Sequence, residues 1–215
     1  MPLLTRRFKG YVKTLLPFAL SFLPLIEDPI EEDWNRIAIG GSYRTGIETM
    51  ATTELYLIRH GLAGEHGSYP NDNERPLTEE GKQKTRQVAD RLLSLNLNFD
   101  LILTSPLVRA QQTADILLKA GLSQQLQEAS YLAPGGSIDA WLEWLRSQNR
   151  SENLRLALVG HEPGLSEWAE TLLWGKSSGA LTLKKAGIIG LTLPEHDSPV
   201  GNSSLFWLTP PRFLL

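Results

Sequence analysis

The chain has 215 residues, 41% of them apolar and 21% charged, the balance of a soluble globular protein with one ordinary domain and an appendage. A formal charge of −3 gives no whole-molecule attraction to nucleic acid or an anionic membrane, so neither is an expected partner. Cysteine is absent, which excludes disulfides, thiol catalysis and thiolate metal sites and fits a reducing, cytoplasmic location.

Residues 1–52 read unlike the remainder. Arg6, Arg7, Lys9 and Lys13 precede an apolar run from Leu15 to Ile26 that Pro17 and Pro24 interrupt. The run is too short to span a bilayer as a helix, and no A-x-A-like cleavage site follows it. Three readings stand: a dispensable leader, a targeting segment or family-specific arm, and an upstream extension ahead of a true start at Met50. The functional domain is expected over residues 53–215.

From Glu54 onward, strand and helix signals alternate. A strand over about 54–59 opens into a polar loop carrying Gly61, Gly64, Gly67 and Asn71-Asp72-Asn73. Thr78 offers an N-cap oxygen, and Glu79 and Glu80 suit the positive end of a helix whose apolar stripe is Val88, Leu92, Leu93 and Leu95. Phe99–Thr104 reads as a buried strand. Ser105-Pro106 starts a second helix that Gly121 stops. A short strand near 126–130, the Pro134-Gly135-Gly136 turn and a Trp-rich helix at about 137–148 follow. Next come a strand ending at His161, a helix from Pro163 to about Trp174, and strands near 186–193 and 203–209. The apolar tail from Trp207 to Leu215 either covers a sheet edge or extends. This order predicts an α/β fold of three layers, with helices on both faces of a largely parallel central sheet.

Two of these strands each end on a histidine. Leu55-Tyr56-Leu57-Ile58 runs into Arg59-His60-Gly61, and Leu154–Val159 runs into Gly160-His161-Glu162. Strand ends are where α/β proteins present reactive groups. An imidazole beside fixed guanidinium charge can attack a phosphoryl group. The other two histidines, His66 and His196, lie in Gly-, Asn- and Pro-rich surroundings and read as exposed loop residues. The four are scattered without metal-ligand spacing, so no metal site is expected.

Four ordered segments carry a family resemblance: Leu57-Ile58-Arg59-His60-Gly61, Arg75-Pro76-Leu77-Thr78-Glu79-Glu80-Gly81, Thr104-Ser105-Pro106-Leu107-Val108-Arg109-Ala110-Gln111-Gln112-Thr113 and Val159-Gly160-His161-Glu162-Pro163-Gly164. Together they resemble the histidine phosphatase (phosphoglycerate mutase-like) superfamily over roughly residues 53–210. The resemblance implies that His60 takes the phosphoryl group and passes it to water. Arg59, Arg109 and His161 would bind the phosphate, with no cofactor. Arginine forks match pairs of phosphate oxygens, which is why two of them suit the site. Arg75 is either a further phosphate donor or a cap on its loop. Gly61 is expected to let the backbone turn beneath the substrate.

Many superfamily members carry a carboxylic acid after the third strand to protonate the leaving oxygen. Here that stretch reads Tyr131-Leu132-Ala133-Pro134-Gly135-Gly136-Ser137, with Glu128 upstream and Asp139 downstream. An alcohol leaving group loses ~10²–10⁴-fold without such help, whereas imidazole, with a pKa of roughly 6.5, departs readily. The short loops also predict an open pocket. The pattern is similar to the SixA-type phosphohistidine phosphatases, which implies a phosphorylated protein partner, namely a phosphotransfer domain. The alternatives are a small phosphorylated metabolite, with Glu128, Asp139 or Glu162 as acid, and a catalytically idle phosphoprotein-binding module. No dimerisation stripe is evident, and a monomer is expected.

Overall fold

The segment Thr-Glu-Leu-Tyr-Leu-Ile-Arg suits a pleated, buried surface, and in the computed structural model it forms strand β1, Thr53–Arg59. The structure describes residues 52–148, 153–195 and 197–215. The readings of residues 1–51, including Met50 as a start, and of His196 lie outside them.

Thr78 accepts a hydrogen bond from the Gly81 N–H and caps helix α1, Glu79–Ser94, as its sequence predicts. Strand β2, Leu101–Thr104, leads to α2, Val108–Lys119, after which Gly121 takes a left-handed φ of 92°. Strand β3, Leu126–Glu128, and α3, Ile138–Ser147, follow. The chain continues through β4, Leu154–Gly160, α4, Gly164–Trp174, β5, Ile188–Leu193, and β6, Ser204–Thr209. Among the described residues no helix is long and apolar enough to cross a membrane.

The sheet order is β3-β2-β4-β1-β5-β6. β1, β2, β3 and β4 pair in parallel, whereas β5 and β6 join antiparallel. The expected three-layer, largely parallel architecture is thus present. Alternation along each strand divides the core. Leu55, Leu57, Leu156 and Leu158 pack with Trp141, Leu145, Trp168 and Leu172 of α3 and α4. Tyr56, Ile58, Ala157 and Val159 pack with Val88, Leu92, Ala114 and Leu117 of α1 and α2. Each fully buried leucine of this kind contributes about 1.5–3 kcal/mol relative to exposure.

Several boundaries differ from the sequence reading, and three of them have a visible cause. Leu95 falls outside the α1 stripe and is exposed, because the helix closes at Ser94. The β2 strand begins at Leu101, since the Phe99 N–H is taken by the Leu122 carbonyl. Helix α2 begins at Val108, because the Ser105 N–H still bonds the Val159 carbonyl and its Oγ accepts from the Leu107 N–H. The tail neither extends nor lies wholly along an edge: after β6 a short 3₁₀ turn, Pro211–Phe213, returns Leu214 to the core beneath α1 and α2.

Helix α1 is pressed against the loop that follows β1. A Cβ added at Gly81 would stand 1.9 Å from the Leu62 carbonyl oxygen. Backbone offers no soft end to move aside, so Gly81→Ala is expected to destabilise the fold by about 1–3 kcal/mol. Urea unfolding midpoints compared at constant m-value check this.

Candidate active site

The parallel pairing of β1 with β4 aligns Arg59 with Gly160, so the next residue of each strand, His60 and His161, emerges at the same edge. The His60 N–H donates to the Gly160 carbonyl at 3.1 Å, and the two imidazole centroids lie 5.1 Å apart. β2 ends beside them and contributes Ser105. The site therefore stands outside the carboxyl ends of three neighbouring parallel strands. Both histidines are 5% exposed and Arg109 is 4% exposed, so the charges act in a poorly solvated setting.

Hydrogen-bond partners assign the ring nitrogens. His60 Nδ1 lies 2.7 Å from the Gly61 carbonyl oxygen, which can only accept, so Nδ1 carries the proton and Nε2 keeps its lone pair. His161 Nε2 lies 2.8 Å from Ser105 Oγ. We assign the Ser105 hydroxyl, whose oxygen accepts from the Leu107 N–H, as donor to Nε2, which places the proton of neutral His161 on Nδ1. His161 can thus donate through Nδ1 without a positive charge.

Burial lowers the His60 pKa to about 3, assisted by the charges of His161, Arg109 and Arg59 and opposed by the Gly61 carbonyl. Burial also lowers His161 to about 4, with Arg109, Arg59 and Arg75 acting in the same sense and Asp72 against them. Both rings are therefore neutral near pH 7. Both folded values lie below the unperturbed imidazole value of roughly 6.5, so the unfolded chain binds more protons in that window. These groups accordingly cost stability progressively as pH falls from about 6.5 toward 3. In ligand-free protein the His60 and His161 ring resonances are expected to keep neutral-imidazole shifts at pH 5; histidine-resolved NMR titration checks this.

Arg59 Nη1 donates to the Leu183 carbonyl at 2.9 Å, and Arg109 bonds Asp72 through Nη1 to the backbone oxygen at 2.8 Å and Nη2 to Oδ2 at 3.2 Å. The Nε atoms of both arginines and His161 Nδ1 are buried without a protein partner among the described residues. A buried donor left unsatisfied costs about 1–3 kcal/mol, which an anion held there would relieve. Arg75 is differently engaged. Its Nε and Nη2 face the Asp72 carboxylate at 2.8 and 3.4 Å, and Nη1 donates to the Gly64 carbonyl at 2.9 Å. Its fork is committed to closing the loop, while its charge still reaches His161 and Arg109.

Asp72 is the organising residue that the sequence reading passed over. Its carboxylate binds Arg75, Arg109 and the exposed ring of His66, and the hydrogen bond from Arg75 leads the effects that hold its pKa at about 2. Two residues of the Arg109 segment tie α2 to the site: Thr113 Oγ1 accepts from the Gly61 N–H at 3.0 Å, and Gln112 Oε1 accepts from the Leu77 N–H at 2.8 Å. Lys185 was also missed. It sits in a tight turn in which Gly187 N–H bonds the Lys184 carbonyl, while the Ala186 N–H meets the carbonyls of Arg59 and His60. Burial, then the charges of Arg59 and Arg75, lower its pKa. The run into this turn is held by Glu170 of α4, whose fully buried carboxylate accepts from the backbone N–H groups of Ser178, Gly179 and Leu181.

Gly61 is needed for a reason other than a turn. Its φ is not left-handed, but an added Cβ would stand 2.4 Å from Thr85 Oγ1 on α1. A cleft of about 180 Å³ adjoins His161, walled by Tyr131–Gly136 and by His161–Leu165, Glu167 and Trp168. Of the candidate acids, Glu128 is exposed and accepts from Gln111 Nε2 at 2.8 Å, and Asp139 is exposed in the first turn of α3. Burial raises the pKa of Glu162, whose Oε1 accepts from Ser166 Oγ at 2.7 Å and the Leu183 N–H at 3.2 Å. Among the described residues no group of three or more His, Cys, Asp or Glu side chains could hold a metal ion.

The family model of the histidine phosphatase superfamily (branch 1) matches residues 55–133. An uncharacterised protein of Picosynechococcus is 46% identical over 167 residues, 75% of this chain and 99% of that one. The phosphohistidine phosphatase SixA of Escherichia coli is 26% identical over 74% of this chain and 94% of its own. The solved structure of the protein histidine phosphatase SixA complexed with tungstate superposes with a TM-score of 0.66 at 23% identity, covering 75% of this chain and 99% of that one. That likeness shows the fold.

Proposed function

The chain belongs to the histidine phosphatase superfamily, and from that premise we propose that it removes phosphate from a protein histidine by way of a covalent phosphohistidine at His60. A phosphatase mechanism is what the superfamily and its SixA relatives support; the phosphohistidine substrate and the residue roles are our reading.

The observation that carries it is a neutral His60 whose Nε2 lone pair is available, with the His161 ring 5.1 Å away and with Arg109 and Arg59 near enough for their charges to bear on it. In the first step His60 Nε2 bonds to phosphorus as the phosphorus–leaving-group bond breaks. The arginines and His161 stabilise the charge on the three peripheral oxygens. In the second step a water oxygen bonds to phosphorus, the phosphorus–Nε2 bond breaks, and phosphate departs with His60 neutral again. No carboxyl lies in the Tyr131–Gly136 wall of the adjoining cleft, so an alcohol there would lack a donor from the position many relatives use. An imidazole leaving group has less need of one.

Glu162 favours a second reading. It lines the cleft with His161, and its raised pKa suits a proton donor to a small phosphorylated metabolite. Its Oε1 is already occupied by Ser166 and Leu183, which is why we place that reading second. With EDTA present, kcat/KM on a phosphohistidine-bearing phosphotransfer domain is expected to exceed that on an alkyl phosphomonoester. A preference for the ester would reverse the order of the two readings, and inactivity on both would support a binding module.

A further inference from the structure

The segment Thr182–Ala186 is a wall shared by two recesses. On one side it closes the phosphate site, through the Leu183 carbonyl on Arg59 and the Ala186 N–H on the Arg59 and His60 carbonyls. On the other it borders a groove of about 480 Å³ completed by Leu208–Arg212. The apolar lining is Leu183, Leu208, Pro210 and Pro211, and Leu208 is 46% exposed on the outermost strand. The charged lining is Lys184 and Arg212, both exposed, with no carboxylate among the lining residues.

That imbalance distinguishes the groove from the recess of about 400 Å³ between α1 and α2, where Asp90 and Asp115 stand beside Lys82, Arg86 and Lys119. It also runs against the chain as a whole, whose net charge is −3. An apolar strip flanked by two cations, neither of them in an ion pair with a carboxylate among the described residues, complements an amphipathic segment bearing carboxylates. Lys185, next to Lys184, extends the positive charge from the groove to the rim of the phosphate site.

We propose that this groove docks an acidic, partly apolar stretch of the phosphorylated protein substrate, with Lys184 and Arg212 as its charge contacts. The proposal rests on the protein-phosphohistidine reading above and adds how that protein is selected over a small phosphoramidate. Free phosphohistidine fills only the phosphate site, whereas the protein fills both.

The test is steady-state kinetics on two substrates, a phosphohistidine-bearing phosphotransfer domain and free phosphohistidine. The proteins compared are the wild type, the Lys184→Glu/Arg212→Glu variant and, as a charge control, the Lys82→Glu/Lys119→Glu variant. Reversal at the groove is expected to lower kcat/KM on the protein about tenfold, chiefly through KM, with the loss shrinking at high salt. Free phosphohistidine should be turned over within about twofold of wild type by the same variant, which also reports that it is folded. Equal losses on both substrates, no loss on either, or the same loss in the charge control would each overturn the groove. A wild type that acts on free phosphohistidine but not on the protein would overturn the proposed substrate first, and the groove with it.

Discussion

Replacing His60 with alanine is expected to abolish turnover, by roughly 10⁴-fold or more, while leaving the fold intact. No neighbour can take over the attack. His161 is held to Ser105 through Nε2, and on our assignment its other nitrogen carries the proton, so the neutral ring has no free lone pair. His60 is buried, yet its ring stands past the end of β1 against His161, so truncation is expected to remove little core packing. Loss of its depressed titration even removes a source of acid sensitivity. Single-turnover kinetics alongside thermal unfolding separate the two effects. A variant that kept wild-type rates would eliminate this histidine as nucleophile. One that lost rate only in proportion to lost folded protein would assign it a structural role.

The second large effect is expected at Arg109. Arg109→Lys should cost about 10²–10³-fold in kcat/KM, because a point ammonium cannot replace a planar fork. The geometry sharpens this. Nη1 and Nη2 of Arg109 are drawn toward Asp72, which orients the guanidinium and leaves Nε without a protein partner. A lysine can keep an ion pair with Asp72 but cannot also offer the second donor edge. Near-normal kinetics in this variant would mean that Arg109 lies outside the reacting phosphate's reach. The variant's stability should be measured too, since Asp72 also closes the loop through Arg75 and His66.

The parts of this account that were legible in the chain share one property: their signal is local. An apolar run that empties into Arg59-His60-Gly61 declares both a buried strand and what stands at its end. Thr78 followed by Glu79 and Glu80 declares a helix start by the same logic. Arg109 was found because it belongs to a segment whose neighbours also matched. What escaped has meaning only after folding. Asp72 is one carboxylate in a polar Asn-Asp-Asn run until the loop folds it onto Arg75, three residues on, and onto Arg109, far away in sequence. Lys185 looks like a surface lysine until the Ala186 N–H fastens its turn to the end of β1. Gly61 was noticed for the wrong reason, because crowding by Thr85 of α1 is a tertiary fact. Arg75 has a committed fork that its motif did not reveal.

The central claim is that His60 becomes covalently phosphorylated. Rapid mixing with excess phosphohistidine substrate, alkaline quenching to preserve phosphoramidates, and peptide mass spectrometry test it directly. The account predicts a transient phosphoryl group on the peptide containing His60, absent from the His60→Ala variant and consumed at the rate of turnover. Turnover with no phosphorylated histidine at any time, or with the group on His161 instead, would contradict it.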